Sequence, residues 1–169
     1  FGFNVYAAKY IVENRTSVSN LNKITSTIFS VKLILYAISF IILYVISFLD
    51  PFSAYKNYLW LFLIMGFGEV FFPIWYFQGV EKLKLATYIT VFSRSILVIG
   101  TLLFVVSPDD LKIHIYLIVF SSVLMGILGY VTLIRQFNFS FVWVSKNEIL
   151  KLIKEAYLFF FRKVFVFNL

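Results

Sequence analysis

The sequence predicts an all-α integral membrane protein, and three observations carry the prediction. It has four apolar runs of about 20 residues, each long enough to cross roughly 30 Å of hydrocarbon as a helix. Its composition is 62% hydrophobic and 14% charged, with a mean hydropathy of +0.93. A water-soluble chain of 169 residues would break its apolar runs every few residues with turn or surface signals. The runs are Ser30–Leu49, Tyr58–Phe77, Leu85–Val106 and Ile113–Ile134. They define a membrane domain over 30–134, preceded by a helix end and polar loop over 1–29 and followed by 135–169.

In chain order, Phe1 to Ala8 reads as the end of a helix leaving the membrane. Phe1 is not an initiator Met and no signal peptide precedes the first span, so the sequence is expected to begin inside a longer protein. Lys9 to Phe29, with Asn14, Thr16, Ser17, Asn20 and Asn22, is expected to be a cytoplasmic loop with some helix. The outer connections, Asp50-Pro51-Phe52-Ser53 and Ser107-Pro108-Asp109-Asp110, carry ordinary turn chemistry. Such short links predict two antiparallel helical hairpins. Between the second and third spans, Trp75 and Tyr76 are expected at headgroup level, and Gln78 to Lys84 return the chain to water. Pro73 with Gly66 and Gly68 suggests a bend. Ser122, Gly126 and Gly129 give the fourth span a small-residue face suited to close helix packing.

After a linker over 135–144, Ser145-Lys146-Asn147-Glu148 forms a capping box that opens a helix. Ile149, Leu152, Ile153, Ala156 and Phe160 fall on one face of it, and Lys151, Lys154 and Glu155 on the other. It is a basic amphipathic helix suited to the membrane surface. Tyr157 to Leu169 is apolar but short, and is expected to be the truncated start of a further span.

The net charge of +7 reports orientation and not nucleic-acid binding. Twelve of the 15 Lys and Arg residues lie before the first span or, as Lys32, at its inner edge, in the second connection or in the tail. Lys56 and Lys112 alone lie on the other side, so both ends of the chain are expected to face the cytoplasm. The absence of Cys excludes disulfides and thiolate chemistry. No metal-ligand spacing, phosphate loop or nucleophile elbow is present, so no cofactor, metal or enzymatic activity is expected.

Two charges lie within the spans, Glu69 and Arg94. The eleven Leu, Ile, Phe and Val residues of 58–77 favour insertion by roughly 5 kcal/mol, against about 3 kcal/mol for one central charge, so both are tolerated. Each lies about 12 Å from the inner interface at about 1.5 Å rise per residue, and neighbouring antiparallel helices would allow them to pair. Thr87, Thr90, Arg94 and Thr101 form one polar stripe expected to face the bundle interior or a cavity. If unpaired, Arg94 suits an anionic head group, because a guanidinium forks onto phosphate oxygens. A free Glu69 suits a coupling proton. Lys32 is expected to snorkel to the inner surface, and His114 to be structural.

The run Phe72-Pro73-Ile74-Trp75-Tyr76-Phe77-Gln78-Gly79-Val80-Glu81-Lys82-Leu83-Lys84 closely resembles the fourth-helix exit of bacterial O-antigen and capsular polysaccharide repeat-unit flippases. These belong to the polysaccharide transporter family of the multidrug/oligosaccharidyl-lipid/polysaccharide exporter superfamily. Gly2-Phe3-Asn4 through Ala8-Lys9 with Asn14-Arg15, then Ser93-Arg94 and Ser107-Pro108-Asp109-Asp110, fit the same family in order and spacing. The resemblance implies two pseudo-symmetric helical bundles around a cationic cavity, flipping undecaprenyl-pyrophosphate-linked oligosaccharides across the inner membrane by alternating access. The four spans here would be the third to sixth helices of an N-terminal bundle, and the helix from Ser145 would link the halves. Arg94, Lys9 and Arg15 match basic positions on or near the substrate path. The implied partners are the lipid-linked oligosaccharide, membrane lipids and other polysaccharide-assembly proteins, with no nucleic acid. Phe159-Phe160-Phe161-Arg162-Lys163 departs from the family's seventh helix, and a truncated or frameshifted gene would explain it. The competing readings are a small membrane scaffold or assembly subunit whose Glu69–Arg94 pair is structural, and a membrane-embedded lipid-sugar enzyme.

Overall fold

The computed structural model describes residues 2–14, 17–53 and 56–166. Helix α1 spans Gly2–Asn14, and α2 spans Val18–Ile46. Ser17, extended at φ −148° and ψ 150°, starts α2 by accepting the Asn20 amide on its hydroxyl at 3.2 Å. Residues 9–14 and 18–29 are therefore helical, where the sequence led us to expect mostly loop. Their hydroxyl groups compete with the backbone in isolation, but here one is absorbed within the helix and another by a tertiary contact. Thr27 donates to the Lys23 carbonyl at 2.8 Å, and Ser26 accepts the Val142 amide at 2.9 Å. Thr25, Ser26 and Thr27 are all buried.

A short helix α3, Asp50–Ser53, precedes α4, Lys56–Phe71. The expected bend falls at Phe72-Pro73, after which α5 runs Ile74–Gly79. Glu81 closes α5 in the left-handed region at φ 60°, with the Lys82 amide reaching back to the Phe77 carbonyl at 2.8 Å. This 6→1 bond satisfies an end carbonyl of the helix. Helix α6, Leu83–Phe104, leads to a 3₁₀ turn, Pro108–Asp110, and to α7, Leu111–Phe137. The turn is a second capping arrangement: Asp110 accepts the Val106 and Ser107 amides at 3.0 and 2.9 Å. Asn138, left-handed at φ 51°, ends α7. An extended link then reaches α8, Lys146–Val166.

Four stretches are long and apolar enough to cross a membrane: Val18–Ile46, Lys56–Gly79, Leu83–Phe104 and Pro108–Phe137. The protein is an all-α, multi-pass membrane protein. The hairpins form as expected, α2 packing on α4 and α6 on α7. Laterally, however, the order is α2, α4, α7, α6, because α7 also packs along α4. Gly68 and Gly126 set that contact. A Cβ on Gly126 would lie 2.9 Å from the Gly68 Cα, so the two backbones touch with no side chain between them. The small-residue face of α7 is thus a packing face, as its sequence suggested.

Trp75 and Tyr76 do not present their rings outward, as residues of a headgroup belt would, but are buried inside the protein. Trp75 and Phe77 are 0% exposed and Tyr76 4%, because α5 packs against α1 and completes an aromatic core. Phe29 is at its centre, with ring centroids 5.5 Å from Trp75, 5.7 Å from Tyr130 and 5.9 Å from Phe139. Helix α8 opens on the expected capping box, the Ser145 amide donating to Glu148 at 3.2 Å and the Glu148 amide to the Ser145 hydroxyl at 3.4 Å. Its apolar face, including Leu152 and Ala156, is buried against α1 and α2. The partner for that face is the chain itself. The helix continues without a break through 157–166, the stretch read as the start of a further span.

Candidate functional site

Glu69 and Arg94 lie level in the bundle and do not meet. Gly68, beside Glu69, abuts the Ser122 carbonyl of α7, and Ser122 donates to the Met65 carbonyl at 3.1 Å. Ser93, beside Arg94, offers its carbonyl to Ser121 of α7 at 2.8 Å. Both charges are therefore at the height of one turn of α7. Consecutive residues on a helix point about 100° apart, however, so α4 and α6 occupy different sides of α7. Among the described residues no ion pair joins them. The expected pairing fails because it assumed that helices adjacent in sequence are adjacent in space. Between α4 and α6 that is untrue, since the Gly68–Gly126 contact brings α7 closer to α4.

Arg94 is partly buried and borders an open groove of about 330 Å³ lined by Val91, Ser95, Val98 and Ile99. All of these are on α6, so the groove is a face and not an enclosed pocket. Its polar stripe runs along the edge of α7. Thr101 pairs with His114 Nδ1 at 3.1 Å, and Thr90 reaches the Met125 sulfur at 3.9 Å. Thr87 donates to its own helix at Leu83. Arg94 has no hydrogen-bonded or charged partner among the described residues.

Glu69 is exposed on the bundle surface, and the cation near it is Lys32. Lys32 donates to the Glu69 main-chain carbonyl at 3.0 Å. Its stem is partly buried beside a cavity of about 290 Å³ lined by Phe3, Asn4, Tyr36, Ser39 and Val70. Lys32 is thus held against a neighbouring helix, where the sequence suggested snorkelling to the surface. A signal for it exists in the sequence: Lys32, Tyr36 and Ser39 fall at i, i+4 and i+7, one polar line on the otherwise apolar stretch 31–43 of α2.

Lys9 pairs with Glu13 at 3.5 Å and stands 5.7 Å from the centroid of the Phe159 ring. It belongs to a polar seam where α8 docks on α1 and α2, at a distance along the chain from the intramembrane charges. In this seam Lys23 pairs with Glu148, Tyr6 donates to Glu155 at 2.7 Å and Asn22 to Ser140 at 3.0 Å. Burial, and then the Glu155 carboxylate, push the Tyr6 phenol above its ordinary range. The Lys23 ammonium and the Ser145 amide hold the Glu148 carboxyl below its ordinary value. A cavity of about 220 Å³ lies in the seam, with Tyr10, Asn20, Lys23, Thr27 and Lys151 in its walls. Arg15, the fourth expected site residue, lies outside the described residues.

Residues 1–167 match the family described as polysaccharide biosynthesis protein. The chain belongs to that family. Two curated members of the comparison are each named "Putative O-antigen transporter". The one from Escherichia coli (strain K12) is 26% identical over 147 residues, covering 86% of this chain and 34% of that protein. The one from Shigella dysenteriae is 30% identical over 169 residues, covering 95% of this chain and 40% of that protein. The chain therefore spans 34–40% of the length of those relatives. No solved structure gives a significant match.

Proposed function

We propose that this chain is part of a membrane flippase that moves undecaprenyl-pyrophosphate-linked oligosaccharide repeat units across the inner membrane during surface polysaccharide assembly. The observation that carries the reading is family membership over nearly the whole chain, together with two relatives named as O-antigen transporters. The chemistry agrees. A lipid-linked pyrophosphate needs cationic groups within the membrane layer, and Arg94 and Lys32 supply two at or near open spaces. Arg94 is the phosphate-facing group in this reading, Glu69 the group that exchanges a proton, and Lys9 and Arg15 line the approach from the cytoplasm. The membrane domain is 30–134 and both ends of the chain are cytoplasmic. The protein is a transporter and not an enzyme, and it works beside other polysaccharide-assembly proteins. The scaffold reading depended on a structural Glu69–Arg94 pair, and α7 stands between those residues.

The test is made in the full-length gene. Deletion should cause unflipped lipid-linked repeat units to accumulate on the cytoplasmic leaflet. Arg94→Ala should reproduce most of that accumulation, and Arg94→Lys should correct it only in part, because an ammonium cannot fork onto two phosphate oxygens. Repeat units that still reach the outer leaflet after deletion would refute the flippase reading. Undiminished export by both Arg94 variants would remove Arg94 from it.

A further inference from the structure

The α4–α5 break creates a carbonyl that α4 cannot satisfy. Pro73 has no amide hydrogen, so the Glu69 carbonyl four residues earlier loses its helical donor. The Ile74 amide does not continue the ladder either: it bonds the Phe72 carbonyl at 3.0 Å, and the Tyr76 and Phe77 amides turn to the Pro73 carbonyl at 3.0 and 3.3 Å. In a membrane layer a bare carbonyl has no water to fall back on. The group that reaches the Glu69 carbonyl comes from another helix, Lys32 of α2, at 3.0 Å. A cation is also the favoured charge at a helix C-terminus.

The two sides of the break both touch α7, whose Phe137 ring lies 5.2 and 6.1 Å from those of Tyr76 and Phe77 on α5, but their tightest backbone contacts differ. Helix α5 is fixed to α1: Gly79 lies flush on Ala8 and Ile11, and Trp75 and Phe77 are fully buried. Helix α4 is fixed to α7 through Gly68 and Gly126. Pro73 is thus a joint between α4 and α5 inside one packed core, with Lys32 bonded just before it and bordering an open cavity of about 290 Å³.

We propose that Lys32 is an interhelical latch on this joint. By capping the carbonyl that Pro73 leaves free, it fixes the angle between α4 and α5, and its release lets α4 swing about Pro73 relative to α5. The proposal does not depend on what the protein transports. It distinguishes a bond to the main-chain carbonyl from a simple ion pair with the Glu69 carboxylate.

The native sequence has no Cys, so a pair of spin labels can be introduced cleanly at Phe62 and Gln78, which are exposed on α4 and α5. Distances are measured on the full chain in lipid vesicles. The parent should give one narrow distance, and Lys32→Met a second, longer one. Lys32→Gln keeps a donor and should stay closer to the parent, which guards against a general folding defect. In a Pro73→Ala background the restored amide can serve the Glu69 carbonyl, so Lys32→Met should no longer add the second distance. Glu69→Gln should leave the distribution narrow. An unchanged distribution in Lys32→Met, an equal effect with and without Pro73, or a second distance in Glu69→Gln would each overturn the latch.

Discussion

Glu148 does two jobs with one carboxylate, and both leave a mark on its titration. It closes the capping box at the start of α8 and pairs with Lys23 of α2. Lys23 first, and then the Ser145 amide, hold its pKa below the ordinary value of 4.5. A depressed carboxylate pKa means that the folded state favours the ionised form. The resulting stabilisation is complete above the ordinary value and disappears as pH falls through the lower, folded-state value. Glu148→Gln should therefore lower the melting temperature of the detergent-solubilised protein at neutral pH. The gap to the parent should close as the pH falls from the ordinary value of 4.5 through the lower, folded-state value. A gap that persists in acid would mean that Glu148 acts through packing and not through charge. Arg94 and Glu69 show how far single residues could be read in advance. Their common depth follows from counting residues along two spans and agrees with the Ser121 and Ser122 contacts. Their failure to pair depends on where a third helix goes, which neither residue encodes.

Among the elements, the two glycines between α4 and α7 decide the lateral order of the bundle, and replacing one should expose that. A methyl on Gly68 would meet the Ser122 carbonyl and lie 2.8 Å from the Val123 amide, both main chain, so the helices must move apart. Gly68→Ala should cost about 1–3 kcal/mol, the usual range for overpacking a tight contact. Gly66→Ala is the control: its nearest neighbour is the Tyr36 ring edge at 3.2 Å, a side chain able to shift slightly. Thermal unfolding in one detergent would compare the two, and equal losses would mean that the Gly68 contact sets nothing. The spans, their hairpins and the capping box at Ser145 were legible because each is local: a run of apolar residues, a short turn, an S-x-x-E pattern. The polar start of α2 was not, since Ser26 accepts the distant Val142 amide, a bond that local propensity cannot contain. Trp75 and Tyr76 look the same in sequence at a headgroup belt or in a core. The α1 contact that buries them comes from residues some 65 positions away.

At the scale of the whole molecule, the polar seam, the α5–α6 turn and the start of α2 should share one end of the bundle, and charge assigns that end a side. Lys9, Lys23, Lys82, Lys84, Lys146, Lys151 and Lys154 belong to it, whereas the α3 and Ser107–Asp110 connections at the other end carry few cations. Lysine and arginine are retained on the cytoplasmic side during insertion, so the seam should face inward. Because the parent has no Cys, single cysteines report sidedness without background. A cysteine at Phe52 or Asp109, both exposed, should react with a membrane-impermeant maleimide added to intact cells. A cysteine at Gln78 or Lys84, also exposed, should react only after the membrane is opened. The lateral order sharpens the test, because α4 and α6 both lean on α7 and cannot invert separately without exposing the Ser121 and Ser122 contacts to lipid. The four positions should therefore switch together or not at all. External labelling at Gln78 with protection at Asp109 would reverse the whole bundle, and would put Lys9, Lys23 and the seam on the wrong side of the membrane for the proposed flippase.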